Sequence, residues 1–138
     1  MATNHPDVSE EILGRLRLTC LDLPEAYEEA AWVGTRWVVR KKAFAHVLMI
    51  AAGWPPAYVR AAGTKGPACV LTFRSSKPAL DAPRFQRPPF FRPVWFANIV
   101  GLALDDRTDW YEVASLVTRS YLVLAPKKLT DLIDAGPD

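Results

Sequence analysis

The run Arg36-Trp37-Val38-Val39-Arg40 sets Trp37 and Val39 on one side and Arg36, Val38 and Arg40 on the other, the two-residue period of a half-buried β-strand. A chain built around such a strand needs an apolar layer over its buried face. The two ends of the sequence supply it. Ile12, Leu13, Leu16 and Cys20 near the start, and Val113, Leu116, Val117 and Tyr121 near the finish, recur at helical spacing. The order helix, strands, helix predicts an α+β fold, with the N- and C-terminal helices packed on one side of an antiparallel sheet.

Local signals place the boundaries. A first helix is expected from Val8 to Leu21, capped by Asp7 or Ser9 and broken by Leu23-Pro24. Strands are expected at Ala30 to Val33, around Trp37, at Phe44 to Ile50 and at Ala68 to Arg74, with turns at Gly34-Thr35 and Lys41-Lys42. The stretch Ala51 to Pro67 reads as a long loop with one helical turn near Ala57 to Ala61, and Ser76 as the cap of a brief helix at Lys77 to Leu80. Pro83, Pro88, Pro89 and Pro93 make Ala82 to Val94 an irregular connector into a strand from Trp95 to Leu104. Asp109 caps the long final helix, and Pro126 opens a short one that ends at Ile133.

With 138 residues, half of them hydrophobic, the chain can bury one core without disulfides or metal, so residues 1–138 are expected to form one domain with frayed tails at 1–7 and 134–138. The longest apolar stretch, Ala43 to Trp54, is interrupted by His46 and falls short of the roughly 18 to 20 residues that cross a bilayer. The polar, acidic start is unlike a signal peptide, so a cytoplasmic protein with no membrane partner is expected, and a monomer is favoured. Cys20 and Cys69 lack CxxC or Cys/His spacing and read as small buried hydrophobes, and His5 and His46 have no ligand partners, so neither metal nor cofactor is expected. Gly63-Thr64-Lys65-Gly66 fails the order and spacing of a phosphate-binding P-loop. No nucleophile with an adjacent base can be assembled, and the reading leans away from an enzyme.

Charge is unevenly spread. From Met1 to Thr35 two basic residues meet seven acidic ones, a net −5; from Arg36 to Val94 eleven basic residues meet only Asp81, a net +10. From Trp95 to Asp138 four meet seven, a net −3. Clustered cations of this kind attract phosphates. Two groups of residues are the candidates for binding DNA or RNA: Arg36, Arg40, Lys41 and Lys42 as a basic strand and turn, and Arg84, Arg87 and Arg92 interleaved with Phe85, Phe90 and Phe91. The opposing reading is that Glu28, Glu29 or aspartates of the helices neutralise the arginines, and that the phenylalanines anchor the connector.

Leu23-Pro24 leading into Glu28, then Trp37, Lys41-Lys42-Ala43-Phe44, Trp95 and finally Ser120-Tyr121 make the chain resemble the MmcQ/YjbR family over roughly Val8 to Ile133. The resemblance implies a compact α+β fold of the CyaY-like, double-wing kind and implies DNA binding. Phe90-Phe91-Arg92-Pro93-Val94 departs from the polar segment that members carry before the tryptophan matching Trp95. Two other readings stay open: a small-molecule or anion-binding module, with a pocket of tryptophan and arginine between the sheet and the Trp54 loop, and a protein-interaction adaptor.

Overall fold

A computed structural model describes residues 5–133. The expectations for residues 1–4 and for the 134–138 tail lie outside the described residues. Helix α1 spans Glu10–Cys20, and Ser9 is its cap, the hydroxyl accepting from the Ile12 amide at 3.2 Å. Strands β1 (Tyr27–Ala30), β2 (Thr35–Val39) and β3 (Lys42–Ile50) follow as antiparallel neighbours. Helix α2 (Pro56–Ala62) precedes β4 (Ala68–Arg74), then α3 (Lys77–Leu80), a 3-10 turn (Pro83–Gln86), β5 (Phe90–Phe91) and β6 (Ile99–Leu104). Helices α4 (Trp110–Leu124) and α5 (Lys127–Ile133) complete the described chain. The six strands form one antiparallel sheet in the order β1-β2-β3-β4-β6-β5.

The expected layering is present. Leu13, Leu16 and Cys20 of α1 and Val113, Leu116, Val117 and Tyr121 of α4 pack on Trp37, Val39, Phe44, Val47, Leu71 and Val100 of one sheet face. Each large side chain withdrawn from water contributes about 1.5 to 3 kcal/mol, and this layer holds most of them. The opposite face is only half covered. Tyr58 and Val59 of α2, with Phe91 and Trp95, cover Val33, Leu48, Ile50 and Val70, and the remainder of that face stays open.

Several boundaries differ from expectation, each for a physical reason. β1 lies earlier than Ala30 to Val33: it is a polar edge strand, and its pairing of Glu29 opposite Arg36 and Glu28 opposite Trp37 replaces apolar alternation. The hairpin turn is Arg40-Lys41, not Lys41-Lys42, since both residues have positive φ (49° and 69°) and a two-residue loop of that kind matches the twist of the strands. The β2–β3 register shifts between Trp37 and Val38, leaving Phe44 as an extra residue that joins Ala45 on the helix-covered side. Phe90-Phe91 adds a short edge strand inside the Pro-rich connector, and the expected strand from Trp95 begins only at Ile99.

Gly34 and Gly101 are among the glycines fixed by close approach. At Gly34 φ is +77° and a Cβ would lie 2.0 Å from the Val47 carbonyl oxygen. At Gly101 a Cβ would meet the Phe91 ring at 2.2 Å, so the missing side chain is the seat on which β5 lays that ring.

Candidate functional site

Of the residues that carried the family resemblance, Pro24, Glu28, Trp37, Phe44, Ser120 and Tyr121 serve as structure on the helix side of the sheet, whereas Trp95 lies on the opposite face. Glu28 on β1 accepts the Trp37 indole N–H at 3.0 Å and two bonds from the Arg17 guanidinium at 2.9 Å each. That guanidinium holds the Glu28 carboxyl below its ordinary value, with Trp37 acting in the same direction and burial opposing. The Tyr121 hydroxyl donates to the Pro24 carbonyl at 2.6 Å, its ring standing edge-on to Phe44. Ser120 donates to the Phe44 carbonyl at 2.6 Å and accepts from the Arg74 amide at 2.7 Å. This network locks α4 to β3, β4 and the α1–β1 connection, and its hydrogen-bonding groups are consumed by one another.

Chemistry elsewhere on the helix side is equally closed. Cys20 and Cys69 are buried free thiols, and burial raises both, Cys69 to about 12, which removes the thiolate at neutral pH. Among the described residues no group of three His, Cys, Asp or Glu could hold a metal ion, and no helix is long and apolar enough to cross a membrane.

The seven cations singled out from sequence do not form one surface. Arg36 pairs with Glu29, and Arg40 donates to Glu25 at 2.6 and 3.1 Å from its place in the turn, so the two do not share the strand face expected of them. Arg84 donates to Glu112 of α4 at 2.5 Å and lies over the Phe85 ring at 5.0 Å. Arg92 is folded inward, donating to the carbonyls of Leu80, Ala97 and Ile99 at 3.4, 3.2 and 3.3 Å. It clamps the loop that carries Trp95 and Phe96. Lys41, Lys42 and Arg87 are exposed and make no ion pair among the described residues. Phe85 and Phe90 are buried against each other and Phe73, anchoring the connector.

A different set converges on the open half of the second sheet face. Arg36, His46, Thr72 and Arg74 rise from β2, β3 and β4, and Tyr58, Trp95, Phe96 and Trp32 wall a cleft of about 270 Å³ around them. Arg74 is its centre. The guanidinium donates to the Asn98 side-chain oxygen at 2.8 Å and lies 4.2 Å from the centre of the Phe96 ring, with no carboxylate partner among the described residues. Burial lowers its pKa, the mark of a cation that has lost water without gaining an anion. The signal was present in the sequence: Thr72 and Arg74 alternate with Cys69, Leu71 and Phe73 and so face away from the helices.

His46 lies at the base of the cleft. Its Nε2–H donates to the Val33 carbonyl at 2.7 Å, and its Nδ1 lies 3.4 Å from the Tyr58 hydroxyl. Burial chiefly, helped by nearby Arg36 and opposed by the Val33 bond, lowers its pKa below the ordinary 6.5. The unfolded chain therefore binds a proton there more readily than the native one, so this contribution to stability is complete above pH 6.5 and falls away below it. We expect the urea midpoint of the wild-type protein to drop between pH 7.5 and 5.5, before the carboxylates titrate. His46→Gln should flatten that interval, and an unchanged slope would show that another group carries it.

None of the curated proteins matches the chain. The YjbR family profile does match, over residues 21–123, which include Glu28, Trp37, the Arg74 cleft and Ser120-Tyr121, and the chain belongs to the YjbR family.

Proposed function

We propose that the chain is a binding domain without catalysis of its own, and that its ligand is a single strand of nucleic acid held on the open half of the second sheet face. The observation that supports this reading is Arg74, a half-buried guanidinium without a carboxylate, stacked on Phe96 in a cleft walled by aromatic rings. An arriving phosphate gives that cation a charge-assisted partner, while a splayed base finds Trp95, Phe96 or Trp32 to stack on. A cleft of about 270 Å³ favours a base taken one at a time over an intact duplex. Lys42 adjoins Ala43 at the cleft wall, so Lys41 and Lys42 can add general attraction at one side. Arg36, Arg40 and Arg84 are held in exposed ion pairs worth little, which a polyanion can displace.

Fluorescence anisotropy with labelled single- and double-stranded DNA and RNA, from about 50 to 200 mM salt, tests it. Single strands should bind more tightly than duplex and weaken steeply with salt. Arg74→Met should weaken binding about tenfold and reduce the salt slope by about one, whereas Arg92→Met acts only through the loop it clamps. No binding at the lowest salt sinks the proposal. The concave shape of the cleft supports a second reading, a small anionic ligand carrying a flat ring. A mononucleotide that binds as tightly as a ten-residue strand would select it.

A further inference from the structure

The Arg74 cleft has a neighbour on either side, and the two differ in charge. Across Trp32 the lining includes Asp7 and Glu10 and no lysine or arginine. Past the end of β4, on the helix side of the sheet, lies a groove of about 460 Å³ lined by Arg84 and Arg119 and by no carboxylate. Phe73, Phe85 and Leu116 are its buried floor, and Leu122 and Val123 of α4 form a partly exposed apolar wall. Phe73 and Arg74 belong to both linings, so groove and cleft meet at that point of β4. The Arg74 guanidinium serves the cleft, while its amide donates to the Ser120 hydroxyl at 2.7 Å and brings the adjacent Arg119 to the junction. The same end of the sheet holds the start of β3 at Lys42 and the start of α3 at Lys77, because β3 and β4 are antiparallel with Ala45 opposite Phe73. Lys42, Lys77 and Arg119 are exposed and make no ion pair among the described residues, whereas Arg84 is already held by Glu112.

We infer that a bound single strand leaves the Arg74 cleft at the end of β4 and continues into this groove, its phosphates on Lys42, Lys77 and Arg119 and a base against Leu122 and Val123. The inference rests on the single-strand reading of the cleft. It gives that strand a direction. Each further nucleotide adds a negative charge, which Asp7 and Glu10 repel on one side and three cations attract on the other. An apolar wall suits a base, whose flat face gains by leaving water and whose identity matters little to such packing. The route runs round the end of the sheet from one face to the other. A flexible single strand makes that turn, and a duplex, stiff over tens of base pairs, does not.

The test is anisotropy titration with labelled strands of three, six and ten residues, as oligothymidylate or oligouridylate, whichever the wild-type protein binds more tightly. The ten-residue strand should bind about tenfold more tightly than the three-residue one. Arg119→Ala should weaken the ten-residue strand about threefold to fivefold, lower its salt slope by about 0.7, and leave the three-residue strand within about twofold of wild type. In the wild-type protein the backbone amide signals of Ser76 and Val123 should move with the ten-residue strand and stay still with the three-residue one, a reading that needs no variant to fold. Equal affinity for the short and long strands overturns the route. So does an Arg119→Ala effect of the same size at both lengths, since that marks a disturbance passed to Arg74 through Ser120. Arg74→Met weakening every length while Arg119→Ala weakens none overturns the route and leaves the cleft as the whole site. Failure of the wild-type protein to bind any length overturns the single-strand reading itself, and the route with it.

Discussion

Trp37→Ala should cost about 3 to 5 kcal/mol, which for a domain whose whole stability is about 5 to 15 kcal/mol leaves little or no folded protein at 37 °C. The side chain is fully buried between the sheet and the two long helices. Truncation opens a cavity where α1, α4 and β2 meet, and it removes the indole N–H from Glu28. That carboxylate keeps Arg17, so it is not left bare, and the cavity dominates the loss. Trp37→Phe separates the two contributions: it keeps most of the volume, loses the donor, and should cost about 1 to 2 kcal/mol. Urea unfolding of the three proteins checks this. A Trp37→Ala midpoint close to that of wild type would mean that the helices do not pack on β2 as described.

Ser120→Ala should cost about 2 to 4 kcal/mol, far more than removal of one oxygen atom usually does. The hydroxyl is completely buried and serves two elements at once, donating to Phe44 of β3 and accepting from the amide of Arg74 at the end of β4. Alanine leaves a carbonyl and an N–H without partners where water does not reach. Arg119→Ala, one residue away and exposed, should stay within about 0.5 kcal/mol of wild type. Hydrogen exchange gives an independent reading, since the Arg74 amide should lose protection in Ser120→Ala. If the two variants are equally stable, the bridge contributes nothing. Because the same bond fixes the backbone of Arg74, folded Ser120→Ala protein should also bind single strands more weakly.

Much of the architecture was legible because it depends on period and caps. The stripes Leu13-Leu16-Cys20 and Val113-Leu116-Val117-Tyr121 are buried as read, Asp109 caps α4 with bonds to the Tyr111 and Glu112 amides, and the face of Cys69, Leu71 and Phe73 meets the helices. Elements without a hydrophobic period were harder to place. β1 is polar because it is an edge strand held by cross-strand pairs, and β5 is two residues long and seated on Gly101. The segment after Trp95 is pulled out of strand geometry where Arg92 gathers its carbonyls. Such causes act between residues that sequence spacing does not relate.

The candidate sites show the same division. The sequence by itself determined the family, the α+β layering, and a middle segment with a net charge of +10. Only the tertiary structure decided which of those charges are available. Glu25 and Glu29 come from the acidic start to meet Arg40 and Arg36, and Glu112 comes from the acidic end to meet Arg84. Among the arginines that make no ion pair in the described residues, Arg74 is the one that lines the cleft, placed on the open face by strand alternation that no charge count distinguishes. Local pattern fixes which way a side chain points, since it depends on backbone geometry over a few residues. Which charge it meets depends on elements tens of residues away being brought within about 4 Å, and folding alone sets that distance.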